Sequence, residues 1–262
     1  MGQGANVSTV FETPGQQGNG VTPYYEGEEP HGNTDLHDAC NRGNLSQVKS
    51  ILSQGSVDID RRGTDGRTAV MLAAHWGNSA IFNVIIEKKP DVSKFDKLGN
   101  SILHLACLGG DMKIVKYVLS QNMADINSKN QNGETPVMLA ALQGQKQLLL
   151  FLLGQHADMS PLDNAGNNIL HLACCGGNIE VVNYVLLQNI VHIDSRGREG
   201  KTPAMMAAEK GRKSVLDLLK SNGADLSLKD NFSNDVYQLA RRNGHEELIS
   251  KAAPRTRGCE VM

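Results

Sequence analysis

The chain has 262 residues, with 26 Lys and Arg against 28 Asp and Glu, for a net charge of −2. That balance gives no electrostatic case for a nucleic-acid partner, which calls for a strongly basic surface. The longest apolar run, Leu148 to Leu153, falls far short of the roughly 20 residues that cross a bilayer. Aromatics are 4% of the chain with one tryptophan, Trp76, so a core must be built in thin layers from small and aliphatic side chains.

Residues 1–32 hold seven glycines, three prolines and four glutamates (Glu12, Glu26, Glu28, Glu29), with no Lys or Arg. Such a stretch buries too little apolar surface to offset the entropy of ordering, and a disordered tail is expected, the acid-flanked pair Tyr24-Tyr25 included. It lacks the basic start and apolar stretch of a secretory signal. The five cysteines are therefore read as reduced thiols of a cytoplasmic protein.

From residue 33 to about 253 the chain repeats itself. Ala39, Ala73, Ala106, Ala140, Ala173, Ala207 and Ala240 recur at gaps of 34, 33, 34, 33, 34 and 33. Four residues after each stands a glycine: Gly43, Gly77, Gly110, Gly144, Gly177, Gly211, Gly244. Five before each stands a helix-capping type: Thr34, Thr68, Ser101, Thr135, Asn168, Thr202, Asp235. Capping oxygens accept the free N–H groups of a first helical turn, and glycine supplies the left-handed backbone on which a helix ends. The spacing predicts a short helix in every unit, with Pro136 and Pro203 at the tolerant first position.

A second helix follows, its apolar residues at helical spacing: Leu45, Val48, Ile51 and Leu52 in the first unit, and Ile114, Val115, Val118 and Leu119 in the third. Leu148, Leu149, Leu152 and Leu153, then Val215, Leu216, Leu218 and Leu219, repeat the idea. Turns carrying Gly66, Gly99, Gly133, Gly166 and Gly200 connect the units. One such helix pair cannot close a core; stacked pairs share one.

A longer rhythm of 67 residues pairs Asn-Ser-Ile-Leu-His-Leu-Ala-Cys (100–107) with Asn-Asn-Ile-Leu-His-Leu-Ala-Cys (167–174). It likewise pairs Thr-Pro-Val-Met-Leu-Ala-Ala (135–141) with Thr-Pro-Ala-Met-Met-Ala-Ala (202–208). The array reads as duplicated pairs of repeats, without a reason for the alternation of His and Met. These phrases resemble the ankyrin repeat family, whose pattern is D-x-x-G-x-T-P-L-H-x-A-A-x-x-G. The resemblance implies an all-α solenoid of about seven helix-turn-helix repeats joined by short β-hairpin loops. The first unit, with no preceding hairpin, and the last, with Ser233 for the turn glycine and Arg241 for the second small residue, read as caps.

The pairs His37/Cys40, His104/Cys107 and His171/Cys174 have a spacing that suggests zinc. They lie two repeats apart, roughly 20 Å for layers about 8–10 Å thick, whereas ligands sit near 2.0–2.3 Å from one ion. No metal is expected, and the resemblance makes the histidines structural. No nucleophile, base and orienting group recur together and no phosphate loop appears, so no catalytic residue, cofactor or small-molecule substrate is expected.

The resemblance implies instead that other proteins bind in the concave groove, on hairpin tips and the exposed end of each first helix. The matching candidates are His75, Trp76, Leu108, Leu142, Lys210 and Arg242. Trp76, Leu108, Leu142 and Cys175 would form an apolar strip, and Arg198, Lys201, Lys210 and Arg242 a basic end.

Residues 254–262 are expected to be a flexible tail. Its last residues, Cys259-Glu260-Val261-Met262, resemble a prenylation box, with Lys251, Arg255 and Arg257 before it to attract anionic headgroups. Gly2 is placed for myristoylation, although Asn6 stands where Ser or Thr is expected. A single lipid attaches a protein only marginally, so a second signal matters. The expectation is an adaptor held at the cytoplasmic face of a membrane through a prenyl group on Cys259. The competing readings are a soluble inhibitor and an enzyme-targeting regulatory subunit. The latter is weakened because Val7 to Phe11 lacks the basic neighbour of a docking phrase.

Overall fold

The computed structural model describes residues 32–248. In chain order, α1 (Asp35–Asn41) and α2 (Leu45–Ser53) form the first repeat, and α3 (Ala69–His75) and α4 (Ser79–Ile86) the second. The third holds α5 (Ile102–Gly109) and α6 (Met112–Ser120), and the fourth α7 (Pro136–Leu142) and α8 (Lys146–Gly154). The fifth holds α9 (Ile169–Gly176) and α10 (Ile179–Leu187), and the sixth α11 (Pro203–Glu209) and α12 (Lys213–Ser221). The seventh has α13 (Val236–Arg242) and a 3-10 turn at Glu246–Leu248. Odd-numbered helices stack in one layer and even-numbered helices in a second behind them.

Helix ends fall where the capping spacing puts them. Ser101 Oγ accepts the His104 N–H at 3.4 Å, and Asp235 Oδ1 the Gln238 N–H at 2.8 Å. The second helices are capped too: Asn44 Oδ1 accepts from Gln47 at 3.0 Å, and Asp111 Oδ1 from Lys113 at 2.7 Å. The seven glycines after the first helices all have positive φ, between 62° and 90°. Ser233 holds the same left-handed conformation (φ 64°) in the last turn, where other repeats use glycine, at a cost of about 1–2 kcal/mol.

The core follows from the seven alanines, every one of them fully buried. A side chain that ends at Cβ lets adjacent first helices approach closely. The second helices add Val48, Ile81, Ile85, Val115, Val118, Leu149, Leu152, Val182, Val185, Val215 and Leu219, all without solvent contact. Each contributes about 1.5–3 kcal/mol by leaving water. Phe82, the largest of the buried side chains, meets Tyr117 of the next repeat edge-on at 5.9 Å.

The loops differ from the expected β-hairpins. Among the described residues there is no strand. Neighbouring tips share a single backbone bond: Lys97 N to Asp65 O (2.7 Å), Gln131 N to Leu98 O (2.9 Å), Asn164 N to Asn132 O (2.8 Å) and Asn231 N to Glu199 O (2.9 Å). One bond per junction does not make a ladder. The tips are tight turns: four are closed by their own aspartate or asparagine, as Asp96 Oδ1 accepts from Leu98 and Asn100 at 2.9 and 2.8 Å, while at Gly63 and Gly197 the tip N–H groups of Thr64 and Arg198 donate to Asn33 and Asn167 of the preceding repeat.

Junctions between repeats alternate in kind, which accounts for the 67-residue rhythm. His37, His104 and His171 each place Nε2 on a backbone carbonyl of the following repeat: Arg67 O at 3.1 Å, Glu134 O at 3.1 Å and Lys201 O at 3.2 Å. A carbonyl only accepts, so Nε2 carries the proton and donates. Meanwhile Nδ1 accepts the helix-cap N–H of Thr34, Ser101 or Asn168. In even repeats Met71 and Met205 offer sulfur to the cap N–H at 3.5 and 3.4 Å and reach no further. The buried Thr68 and Thr135 hydroxyls have no hydrogen-bond partner among the described residues.

The second kind of junction is closed by contact instead. A Cβ on Gly109 would strike the carbonyl oxygens of Ala74 and His75, and one on Gly176 the carbonyl of Leu142. Histidine thus joins repeat one to two, three to four and five to six, while glycine lets two meet three and four meet five. Gly176→Ala and Gly109→Ala are expected to destabilise the fold by about 1–3 kcal/mol through overpacking against fixed backbone. Gly154→Ala, whose Cβ would meet nothing within 4 Å, should be neutral or stabilise by up to about 1 kcal/mol. Urea midpoints check this, and equal midpoints for Gly176→Ala and Gly154→Ala would refute it.

Candidate partner-binding groove

Three rows of residues face the groove: the turn tips, the last turn of each first helix, and the residues just before each helix cap. At repeat two, the Trp76 ring is 45% exposed, with its indole N–H donating to Asn41 Oδ1 at 3.1 Å. His75 meets that ring edge-on at 5.0 Å. Burial, with the Arg67 charge added, pushes the His75 imidazole down to about 4 against the partial opposition of Asp96. His75 is therefore neutral at pH 7, and its Nδ1 is buried with no hydrogen-bond partner among the described residues.

The expected apolar strip takes a different form. Trp76 stands out and Leu108 is half-buried, while Leu142 and Cys175 are only 9% and 8% exposed. With Leu172 and Met206 they floor a depression of about 320 Å³, rimmed by Asn132, Asn164 and Arg198. The close approach allowed by Gly176 is what draws Leu142 and Cys175 inward.

The expected basic end is largely neutralised. Lys201 is buried, its Nζ between Glu199 and Glu209 at 2.9 Å each. Arg198 Nε stands 3.6 Å from Glu199, and Arg242 donates to Asn234 Oδ1 at 3.0 Å. Lys210 and Arg242 are exposed. The acids come from positions 199 and 209 of the same repeat, where a reading confined to basic residues overlooks them.

Sequence reasoning placed partners on the turn tips but named none of the apolar residues there. Phe95, Leu98, Leu162 and Phe232 are 52%, 45%, 51% and 66% exposed, all in odd repeats. Even tips carry Asp65, Asn132 and Glu199 instead. The 67-residue period held that signal: an apolar residue inside every second turn.

The His–Cys pairs are parts of the frame. Each imidazole has both nitrogens engaged as described, and burial pushes the Cys40 thiol up to about 12 and that of Cys107 higher still. Among the described residues no group of three or more His, Cys, Asp or Glu is placed to hold a metal. No helix there is long and apolar enough to cross a membrane. Cys259 and Gly2 lie outside the described residues.

The profile described as Ankyrin repeats (3 copies) matches residues 17–96, 36–130, 89–163 and 137–230. The chain is similar to Protein glp-1 of Caenorhabditis elegans, 27% identical over 211 residues, which is 75% of this chain and 16% of that protein. It is 34% identical over 152 residues to the mouse nuclear factor NF-kappa-B p105 subunit, covering 57% of this chain and 15% of that one. The likeness is thus to one segment of much longer proteins. In structure it is similar to the human ASB11 ankyrin repeat domain, with a TM-score of 0.63 and 22% identity, over 85% of this chain and 99% of that one.

The buried histidines give the array a pH dependence. Desolvation lowers the imidazoles of His37, His104 and His171, against opposing backbone hydrogen bonds, and lowers His75 to about 4. Below pH 6.5 the unfolded chain therefore binds more protons than the folded one, so stability present above 6.5 is lost as pH falls toward the folded values. The thermal midpoint should drop between pH 7 and 5, and His75→Gln should reduce that drop while leaving the midpoint's plateau above pH 7.5 flat. A midpoint independent of pH across this window would contradict the assignment.

Proposed function

Since the chain belongs to the ankyrin repeat family, we propose that it is an adaptor that grips protein partners in the concave groove. The observation that carries this reading is Trp76: a large aromatic, nearly half exposed, held by one hydrogen bond to Asn41 at the groove wall. Tryptophan is among the commonest energetic anchors of protein interfaces. Leu108, Leu142, His75, Lys210 and Arg242 flank the groove along its length, and the exposed tips Phe95, Leu98 and Phe232 extend it outward. The reading assigns no catalytic residue, cofactor or small-molecule substrate.

The adaptor is further proposed to sit at the cytoplasmic face of a membrane through a prenyl group on Cys259. Support comes from the order Cys259-Glu260-Val261-Met262 and the basic Lys251, Arg255 and Arg257 before it. Gly2 is the weaker candidate for a second lipid. A soluble inhibitor or a targeting subunit would share the groove but not the anchor.

Two substitutions test the two halves separately. Trp76→Ala should leave thermal unfolding nearly unchanged while weakening capture of the cellular partner by more than about 1 kcal/mol. Intact binding with a large loss of stability would make Trp76 a packing residue. Cys259→Ser should release the protein from the membrane fraction of a prenylating eukaryotic cell. Intact-mass spectrometry that finds an unmodified Cys259 there would remove the anchor.

A further inference from the structure

The groove's apolar-floored depression lies at the one even-to-odd junction whose charges are left uncompensated. The residue before each even helix cap faces the turn acid of the next repeat. Between repeats two and three these are Arg67 and Asp96, paired at 3.2 Å with the carboxylate fully buried. Between six and seven they are Lys201 and Asp230. There burial opposes the Asp230 carboxylate, hydrogen bonds from Asn234 and Phe232 hold it ionised, and the Lys201 charge, its Nζ bound to Glu199 and Glu209, adds the smallest share. Between four and five the matching residues are Glu134 and Asp163, two acids where the other junctions set a cation beside one.

Both acids line the depression over Leu142, Leu172, Cys175 and Met206. Glu134 is only 6% exposed; its Oε2 accepts from Asn130 Nδ2 at 2.9 Å and Asn132 Nδ2 at 3.3 Å. Asp163 accepts from the backbone N–H groups of Ala165 and Asn167 at 2.9 and 2.8 Å and from Asn167 Nδ2 at 2.8 Å. Among the described residues neither carboxylate is in an ion pair. Arg198, the one cation on the rim, is directed to Glu199 at 3.6 Å.

We propose that this slot receives an arginine or lysine side chain from the bound protein, which takes the place that Arg67 fills beside Asp96 at the junction of repeats two and three. The methylene stem lies on Leu142, Leu172 and Met206, and the charged head meets Glu134 and Asp163, with the side-chain oxygens of Asn132 and Asn164 within the rim. A basic head with an apolar stem matches both surfaces at once. A neutral apolar side chain would fill the floor and cover the buried Glu134 and half-buried Asp163 without a counter-charge, which is costly. The proposal rests on the groove being the docking surface and adds what it selects.

The probe is the peptide acetyl-Gly-Gly-Arg-Gly-Gly-amide, titrated into the ¹⁵N-labelled full chain beside its citrulline analogue, which keeps the shape and loses the charge. The side-chain amides of Asn132, Asn164 and Asn167 should shift saturably with arginine and at least fivefold more weakly with citrulline. Glu134→Gln combined with Asp163→Asn, which keeps an amide oxygen for the backbone N–H groups of Ala165 and Asn167, should abolish the difference. Glu134→Arg supplies the missing cation from within: it should raise the thermal midpoint and close the slot to the peptide. Equal response to citrulline, shifts confined to other acidic loops, or a response indifferent to the double variant would each overturn the proposal. If the slot fails while Trp76→Ala still weakens partner capture, the groove reading stands without it. If the slot binds arginine while Trp76→Ala has no effect on capture, the Trp76 reading falls and the slot remains.

Discussion

No repeat in this chain can keep its own apolar face dry. Each helix pair is too thin, and its buried side must be covered by the pair beside it. The alanine column answers that constraint at the first-helix layer, where a methyl at each of those seven positions lets neighbours approach. The aliphatic residues of the second helices answer it behind. Because the first helices are short and the second are backed by loops, the stack leaves a concave side, and the groove is a consequence of how the core is closed.

The same constraint is met in two ways along the array. Where an odd repeat precedes an even one, an imidazole crosses the junction and holds a backbone carbonyl, and a polar side chain of the later repeat reaches back, as Gln145 does to Leu108 O (3.4 Å) and Arg212 to Cys175 O (3.2 Å). Where an even repeat precedes an odd one, Gly109 and Gly176 let backbone approach backbone. The turn acids then sit beside the preceding repeat, and the charge facing them becomes a local choice. A frame of closely similar junctions carries different side chains at Arg67, Glu134 and Lys201.

Most of the frame was legible in the sequence because it is enforced seven times. Ala39 through Ala240, the glycines four residues on and the caps five before mark the first helices almost to the residue. The strands expected in the loops were not found, since a family pattern names hairpins without saying how many bonds join them. The surface was harder to read. Leu142 and Leu108 occupy equivalent places, yet one is nearly buried and the other half-exposed, because burial there depends on whether the next repeat carries glycine. Lys201 looked like part of a basic patch until Glu199 and Glu209 closed on it from the fold. Trp76, Lys210 and Arg242 stand in the open where the pattern placed them. The proposed lipid-bearing residues, Cys259 and Gly2, lie outside the described residues.

The alternation of clasp and close contact also constrains how such an array can change its length. Repeats one, three and five carry the imidazole that reaches forward, and the third and fifth also the bare glycine that admits the predecessor; even repeats supply the backbone that both of them meet. Adding or removing a single repeat would set two like faces against each other, putting a side chain where Gly109 or Gly176 now lets backbone pass. Inserting or excising repeats two at a time preserves every match. The unit that recombination could shuffle without repair is therefore about 67 residues long, twice the unit that folds as one helix pair.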